Sequence, residues 1–201
     1  ATILSYENER KTVLGLVDTV TRNFAVSQRF YSLKKKMLGL KKMGYYDRAV
    51  SVGETKKKIS FQDAYENLYS VFASLDTEFA HILERFVTQG QVDVYPKVGK
   101  AGGAYCWGDH KSPTFIFLNH VDTLDSLMTF AHEMGHGIHT EFSKKQPVFY
   151  DGYSTATAEV ASTLFEMFVF YDQFEKLSPE EKIVALHDKI QDDVQTVFRQ
   201  V

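Results

Sequence analysis

The pentapeptide His132-Glu133-Met134-Gly135-His136 constrains the fold of this chain more than any other segment. Two histidines four residues apart on a helix lie on one face, one turn apart, at a spacing that suits one zinc ion. Glu133 is turned about 100° around the helix from His132, so it is predicted to reach a water on that ion and not the ion itself. The surrounding apolar residues recur every three or four positions, which predicts a helix: Leu124, Leu127, Met128, Ala131, Gly135, Ile138 and Phe142.

A catalytic zinc site needs a third protein ligand and an open position. Glu159 and Glu166 compete for that role, because both lie in the strongly apolar segment 154–174, which is predicted to be helical. They share a helix face but lie roughly 10 Å apart along its axis, so both cannot bind one ion. One is predicted to be the ligand and the other to orient a ligand histidine. The spacing leaves open which is which.

Two segments carry a resemblance to a known family. Residues 131–139 read A-H-E-M-G-H-G-I-H, and residues 158–166 read A-E-V-A-S-T-L-F-E. Together they resemble the oligoendopeptidase F branch of the thimet-oligopeptidase-like zinc metallopeptidases. The resemblance covers nearly the whole chain and extends to four further stretches: Gly99-Lys100-Ala101-Gly102-Gly103-Ala104-Tyr105, Phe117-Leu118-Asn119, Tyr31-Ser32-Leu33-Lys34 and Tyr46-Asp47.

The resemblance implies a zinc-dependent metalloendopeptidase that acts on short unfolded peptides. It assigns one Zn²⁺ per chain to His132, His136 and Glu159, Glu133 as the general base, and Glu166 as a residue outside the ligand set. Glu133 would take a proton from the attacking water and pass it to the leaving amine. His139, one turn beyond His136, is either a hydrogen-bond donor behind the ligands or a core histidine.

The chain departs from the family pattern at two places. Ala101 stands where the family commonly has an arginine in its glycine-rich segment. Val201 ends the sequence inside a predicted helix that continues in the family, where later residues supply tyrosine and histidine side chains to the substrate. We therefore expect a catalytic segment truncated at its C-terminus, weak or inactive alone, whose partner is the remainder of the parent peptidase chain.

The glycine-rich segment Gly99–Gly103 has two interpretations. It is either a simple hairpin turn or a backbone free of side chains beside the cleft. In the second case an extended peptide would pair with Gly102, Gly103, Ala104 and Tyr105 as an added strand. Recognition would then depend mainly on main-chain hydrogen bonds.

The predicted fold class is mainly α, a helical zincin-type catalytic domain with a small antiparallel β-sheet next to the H-E-x-x-H helix. Helix starts are predicted at Ser60, Asp76, Asp122 and Ser178, and a break in the first helical segment near Asn23. The strands are predicted in three short segments separated by Gly, Asp and Pro: Val92–Tyr95, Ala104–Trp107 and Thr114–Leu118. The chain is predicted to form a single segment with subregions 1–90, 91–119 and 120–201.

Composition narrows the class of protein. A 201-residue chain that is 44% hydrophobic can bury a core as one domain. The net charge of −3 argues against a general nucleic-acid or anionic-membrane binder, and the lysine clusters 34–36, 41–42 and 56–58 are predicted to be solvated. Cys106, the single cysteine, cannot form an internal disulfide and is predicted to be a packed residue; a reducing, cytoplasmic location is expected.

Two alternatives to the endopeptidase hypothesis stay open. The segment could be a non-catalytic helical module that keeps its zinc for stability. It could also be a zinc carboxypeptidase that uses the same motif and requires a free substrate C-terminus.

Overall fold

The computed structural model describes residues 8–53 and 58–199, and it confirms the mainly helical fold class. The described helices are α1 (Arg10–Arg22), α2 (Phe24–Met37), α3 (Phe61–Leu75), α4 (Thr77–Thr88), α5 (Leu124–Ser143), α6 (Thr155–Glu175) and α7 (Pro179–Arg199). Short 3₁₀ helices span Tyr46–Ala49 and Val148–Tyr150. No helix in these ranges is both long enough and apolar enough to cross a membrane.

The chain forms two compact units. The first joins Ala1–Lys56 with Leu177–Val201, and the second is Lys57–Lys176. This division follows spatial packing, whereas the predicted subregions 1–90, 91–119 and 120–201 follow sequence order. All the predicted site residues lie in the second unit.

In the first unit, the predicted break at Asn23 is confirmed, because α1 ends at Arg22 and α2 begins at Phe24. The prediction that Lys34 is solvated is wrong: the residue is 0% exposed. Its ammonium donates to the carbonyl of Arg48 (2.7 Å) and to the amide oxygen of Gln191 on α7. Burial lowers the pKa of Lys34, and nearby Asp188 acts in the opposite direction. A lysine with two protein acceptors can be buried where an unpaired one cannot.

The second unit packs α3 to α6 around one apolar core. Ser60 and Asp63 form the predicted capping box at the start of α3, and Asp76 caps α4 by accepting the backbone N–H of Glu78. The predicted cap at Asp122 is wrong. Thr123 caps α5 instead, since its hydroxyl accepts the N–H of Ser126, while Asp122 adopts a left-handed conformation with φ 57°.

The small sheet is mixed, and so the prediction of a purely antiparallel sheet is wrong. Its strands are β1 (Val92–Asp93), β2 (Tyr105–Trp107) and β3 (Phe115–Phe117), in the spatial order β1-β3-β2. β1 runs parallel to β3, and β2 runs antiparallel to it. The chain between β1 and β2 crosses β3, so β1 and β2 lie on opposite sides of that strand. The alternation of side chains along a strand does not specify which strands become neighbours. β2 is consequently an edge strand.

A network of ion pairs lies at the C-terminal end of α5. The carboxylate of Glu141 accepts from Lys144 (2.8 Å), from the hydroxyl of Thr114 (2.6 Å) and from Arg85 on α4. Burial alone would raise the pKa of Glu141, but these three donors outweigh it and lower the pKa to about 2. The network joins α4, α5 and the residue before β3.

We expect Glu141→Gln to lower the free energy of unfolding by about 2–3 kcal/mol at pH 7. The folded-state pKa lies below the ordinary value of 4.5. The stabilisation is therefore complete above pH 4.5 and is lost as the pH falls from 4.5 through 2. Urea unfolding of both proteins at pH 7 and pH 3 measures this, and the difference between them should shrink at the lower pH. A difference that is constant with pH would contradict the assignment.

Candidate active site

Helices α5 and α6 bring three predicted metal ligands together. His132 and His136 lie on one face of α5, and Glu159 faces them from α6. Oε2 of Glu159 lies 3.3 Å from Nε2 of His132 and 3.6 Å from Nε2 of His136. One ligand atom from each of the three residues lies within 4.8 Å of the other two. The part of the chain that the structure describes thus contains a His, His, Glu group that could hold one ion.

A glycine permits this close approach of the two helices. A Cβ atom added to Gly135 would lie 2.7 Å from Cα of Ser162 and 2.9 Å from the carbonyl oxygen of Ala161. Both contacts involve backbone atoms of α6, which cannot move aside as a flexible side chain can. Gly135, between the two histidines, therefore sets the separation of α5 and α6.

We expect Gly135→Ala to destabilise the protein by about 1–3 kcal/mol, because α6 must move away from α5. The same movement should weaken metal binding by separating Glu159 from the histidines. Gly15→Ala is the matched control: Gly15 is also helical but has no atom within 4 Å of an added Cβ, so stability should stay unchanged or rise by up to about 1 kcal/mol. Equal stability of both variants in urea unfolding would contradict the close approach.

Glu166 contacts the opposite nitrogen of His132. Its Oε2 lies 3.1 Å from Nδ1 of His132, so the Nε2 atom is directed towards Glu159. The hydrogen bond with Glu166 raises the pKa of His132, with burial acting in the opposite direction. A carboxylate on the distal nitrogen is the usual partner of a metal-binding histidine. Their spacing in the sequence did not show which of Glu159 and Glu166 faces the ligand side. In the structure, the two carboxylates lie on opposite sides of the His132 imidazole.

Sequence reasoning missed a residue that orients Glu159. The hydroxyl of Ser162 donates to Oε2 of Glu159 at 2.8 Å. Ser162 is fully buried, on the turn of α6 after Glu159. Its signal in the sequence was a small hydroxyl residue three positions after the glutamate, in the segment A-E-V-A-S-T.

Glu133 is 7% exposed. Burial raises the pKa of its carboxyl to about 7, Glu159 acts in the same direction, and His132 and the backbone N–H of Cys106 act in the opposite one. The carboxyl of Glu133 therefore lies near the backbone N–H of Cys106 on β2 and beside the His132, His136 and Glu159 group. This contact between α5 and the sheet has no signal in the sequence.

The hydrogen-bond pattern of the sheet shows which edge Glu133 faces. Ile116 donates its N–H to Gln91, on the β1 side of β3. Its antiparallel partner Cys106 is thus in a non-hydrogen-bonded pair, and the N–H and C=O of Cys106 point away from β3. The free edge of β2 consequently faces Glu133.

The glycine-rich segment before β2 is held by side chains that sequence reasoning did not single out. The amide of Asn119 donates to the carbonyls of Ala101 and Gly103, both at 2.9 Å. Lys100, whose side chain is 2% exposed, donates to the carbonyls of Asp93 and Tyr95. These bonds attach the loop to the rest of the sheet.

The residues predicted to bind substrate lie at this loop and at the start of β2. Gly102 and Gly103 are exposed, Ala104 is half-buried, and Tyr105 stacks on Phe117 with ring centres 4.8 Å apart. Gly103 has φ 81°, a left-handed conformation that favours glycine. The structure thus places all four residues along one accessible stretch of backbone.

His139 lies against Tyr153. The two rings stack with centres 3.9 Å apart, and the hydroxyl of Tyr153 lies 3.0 Å from that of Thr140. Burial lowers the pKa of His139, and its Nδ1 has no hydrogen-bond partner among the described residues. This placement favours the core-histidine interpretation.

Cys106 is half-buried in β2, and burial together with the nearby Glu133 raises the pKa of its thiol to about 12. A neutral thiol is a poor nucleophile. The placement agrees with a packed residue.

Comparison with known proteins gives consistent matches. The family model described as peptidase family M3 matches residues 5–201. Oligopeptidase PepF of Bacillus subtilis is 32% identical over 92% of this chain and 28% of its own length. An oligoendopeptidase F homologue of Borreliella burgdorferi is 32% identical over 98% of this chain and 34% of its own. The chain thus spans about a third of the length of the curated relatives it matches.

Solved structures share the fold. A Chlamydophila abortus protein assigned as a peptidase superposes with a TM-score of 0.80 at 35% identity, covering 96% of this chain and 33% of that one. PZ peptidase A, solved with an inhibitor, superposes with a TM-score of 0.74 at 19% identity over 92% of this chain and 34% of its own. The second likeness concerns the fold alone.

Proposed function

The chain belongs to peptidase family M3, and on that premise we propose that it is the catalytic segment of a zinc-dependent metalloendopeptidase that hydrolyses short unfolded peptides. The observation that carries the proposal is the meeting of three features: the His132, His136 and Glu159 group, the buried Glu133 carboxylate, and the free edge of β2. Each feature alone is common; together they bring a metal site, a base and a peptide-binding edge into one place.

The donor set fits zinc. Two imidazoles and one carboxylate are the ligands of a common class of catalytic zinc sites, which keep a fourth position open. The hydrogen bond that Nδ1 of His132 donates to Glu166 and the one that Ser162 donates to Glu159 supply the outer contacts that such sites need. A zinc ion held there would lower the pKa of a water molecule towards neutrality and polarise the scissile carbonyl.

Glu133 is the residue that we propose as general base. Its carboxylate lies one position along α5 from His132, pointing to the β2 edge and not into the ligand group. From there it can accept a proton from the attacking water and donate it to the leaving amine. Burial keeps bulk water away from this proton transfer.

The free edge of β2 is the element that we propose to hold the peptide. Edge strands bind extended peptides through main-chain hydrogen bonds. The backbone of the half-buried Ala104 continues this edge before β2, and Lys100 and Asn119 hold the preceding loop in place. A peptide bound there would lie beside Glu133 with its backbone extended, which is the form that only unfolded or short substrates can adopt.

Zinc content and hydrolysis of an internally quenched peptide test the proposal together. We expect one zinc per chain, and weak but measurable cleavage that is lost on chelation and restored by Zn²⁺. An otherwise identical peptide with an amidated C-terminus should be cleaved equally well, since an endopeptidase needs no free carboxylate. Zinc without cleavage would favour the non-catalytic module, and cleavage only of the free-carboxylate peptide would favour a carboxypeptidase.

A further inference from the structure

A cavity of about 270 Å³ lies beyond the C-terminal end of β2. Its walls come from residues 108–110, which follow β2, from the last two turns of α5, and from residues 151–153, which precede α6. The metal ligands and Glu133 do not line it. The cavity is thus separate from the site described above, but it lies at the C-terminal ends of β2 and α5, which also contribute to that site.

The one lysine in the cavity wall has no donor left for a ligand. The ammonium of Lys144 donates to Glu141 (2.8 Å), to the hydroxyl of Thr114 (2.8 Å) and to the carbonyl of Ser112 (2.9 Å). An ammonium group has three donors, and all three are used. Lys144 therefore has no free donor for an anionic ligand in the cavity, and its charge is already neutralised by the carboxylate of Glu141.

Two carboxylates in the wall favour a cation instead. Oδ2 of Asp151 lies 3.6 Å from Nδ1 of His110, and its side chain is 25% exposed. Asp109 accepts the backbone N–H groups of Lys111 and Ser112, both at 2.8 Å, and these bonds lower the pKa of its carboxyl. Asp109 is exposed and Asp151 is partly exposed, so both carboxylates belong to the accessible part of the wall, with His110 as the neighbour of Asp151.

The cavity lies where the N-terminal part of a peptide bound antiparallel to β2 would be. Gly108 lies two residues after Cys106, about 7 Å further along the strand. A peptide that adds to the β2 edge in the antiparallel direction, the stronger pairing, has its N-terminal residues at that end. Parallel pairing would bring the C-terminal carboxylate to the cavity, where the saturated Lys144 cannot receive it. Charge and strand direction thus agree.

We infer that this cavity is a substrate subsite for a cationic group two to four residues on the N-terminal side of the scissile bond. The group is either the α-ammonium of a short peptide or the side chain of a lysine or arginine. The inference rests on the proposed peptidase function. The subsite also gives a reason for a preference for short peptides. If the cavity binds the amino terminus, its fixed distance from Glu133 limits the number of residues that can precede the cleaved bond.

Matched quenched peptides test the inference on the zinc-loaded protein. One pair differs only in N-acetylation, and the other exchanges lysine for methionine three residues before the cleavage point. We expect the loss of positive charge in one of the two pairs to raise KM by about 3- to 10-fold, and the pair that responds identifies the source of the cation. In the Asp151→Asn and Asp109→Asn variants, the difference in KM between the two peptides of that pair should be smaller. Glu84→Gln, an exposed carboxylate on α4, is the control that should keep the full discrimination.

Dissociation constants of the same peptides for the Glu133→Gln protein give a readout that does not depend on turnover. Discrimination that persists in both Asp→Asn variants, or that is absent from the unsubstituted protein, would overturn the subsite. Zinc-dependent cleavage without discrimination would overturn the subsite alone. Discriminating binding with no cleavage would instead overturn the peptidase proposal and leave the cavity as a binding site for a cationic group of a peptide.

Discussion

Replacing Glu133 with glutamine is expected to lower kcat by about 10²–10⁴-fold, the usual effect of losing a general base. The amide has nearly the same size as the carboxylate, but it cannot take a proton from water. Zinc content and thermal stability should therefore stay near those of the unsubstituted protein. Steady-state hydrolysis of a quenched peptide, with zinc measured on the same samples, gives both quantities.

The control for this experiment is Glu84→Gln, which removes an exposed carboxylate from α4 of the same unit. It should leave kcat, KM and zinc content unchanged. Near-normal turnover of a fully zinc-loaded Glu133→Gln protein would rule out the general-base role. Loss of zinc from that variant would show that Glu133 is needed for the metal and not for the proton.

Glu159→Ala is expected to weaken zinc binding by about 10³-fold or more, because it removes one of the three protein ligands that we propose. Glu166→Ala should weaken it by about 10–100-fold, as is typical when the partner of a ligand histidine is lost. The two glutamates lie on the same helix, seven residues apart, so each variant serves as the matched control for the other. Competition with a chromophoric chelator measures the two affinities.

The ranking of these two variants decides the assignment. Stronger loss of zinc in Glu166→Ala than in Glu159→Ala would reverse the proposed roles. Equal losses would indicate that the ion is not held by a single carboxylate. Ser162→Ala should fall between the unsubstituted protein and Glu166→Ala, since it removes one hydrogen bond to Oε2 of Glu159.

Local features of the sequence were sufficient to predict the helices. The apolar period of α5, the capping box at Ser60 and Asp63, the cap at Asp76 and the break at Asn23 all depend on residues within one or two turns of each other. Such short-range interactions can be read from sequence because the backbone path between the residues is known. The placement of His132 and His136 on one helix face follows for the same reason.

Interactions between distant residues could not be predicted in this way. Lys34 is 157 positions from its acceptor Gln191, and nothing in a run of three lysines distinguishes the buried one. The parallel pairing of β1 with β3 likewise depends on how the intervening chain crosses the sheet. In both cases the outcome is set by long-range packing, which local periodicity does not encode.

Local sequence patterns were enough to predict a mainly helical chain, two histidines one turn apart on a helix, and two candidate carboxylates on a later helix. The packing of α5 against α6 directs Glu159 towards both Nε2 atoms and Glu166 towards Nδ1 of His132, which no local pattern predicts. The same packing brings Glu133 to the free edge of β2 and forms the cavity beyond that edge. The physical reason is that a helix fixes the relative directions of its own side chains, whereas distances between elements depend on their packing, here on the contact of Gly135 with the backbone of α6.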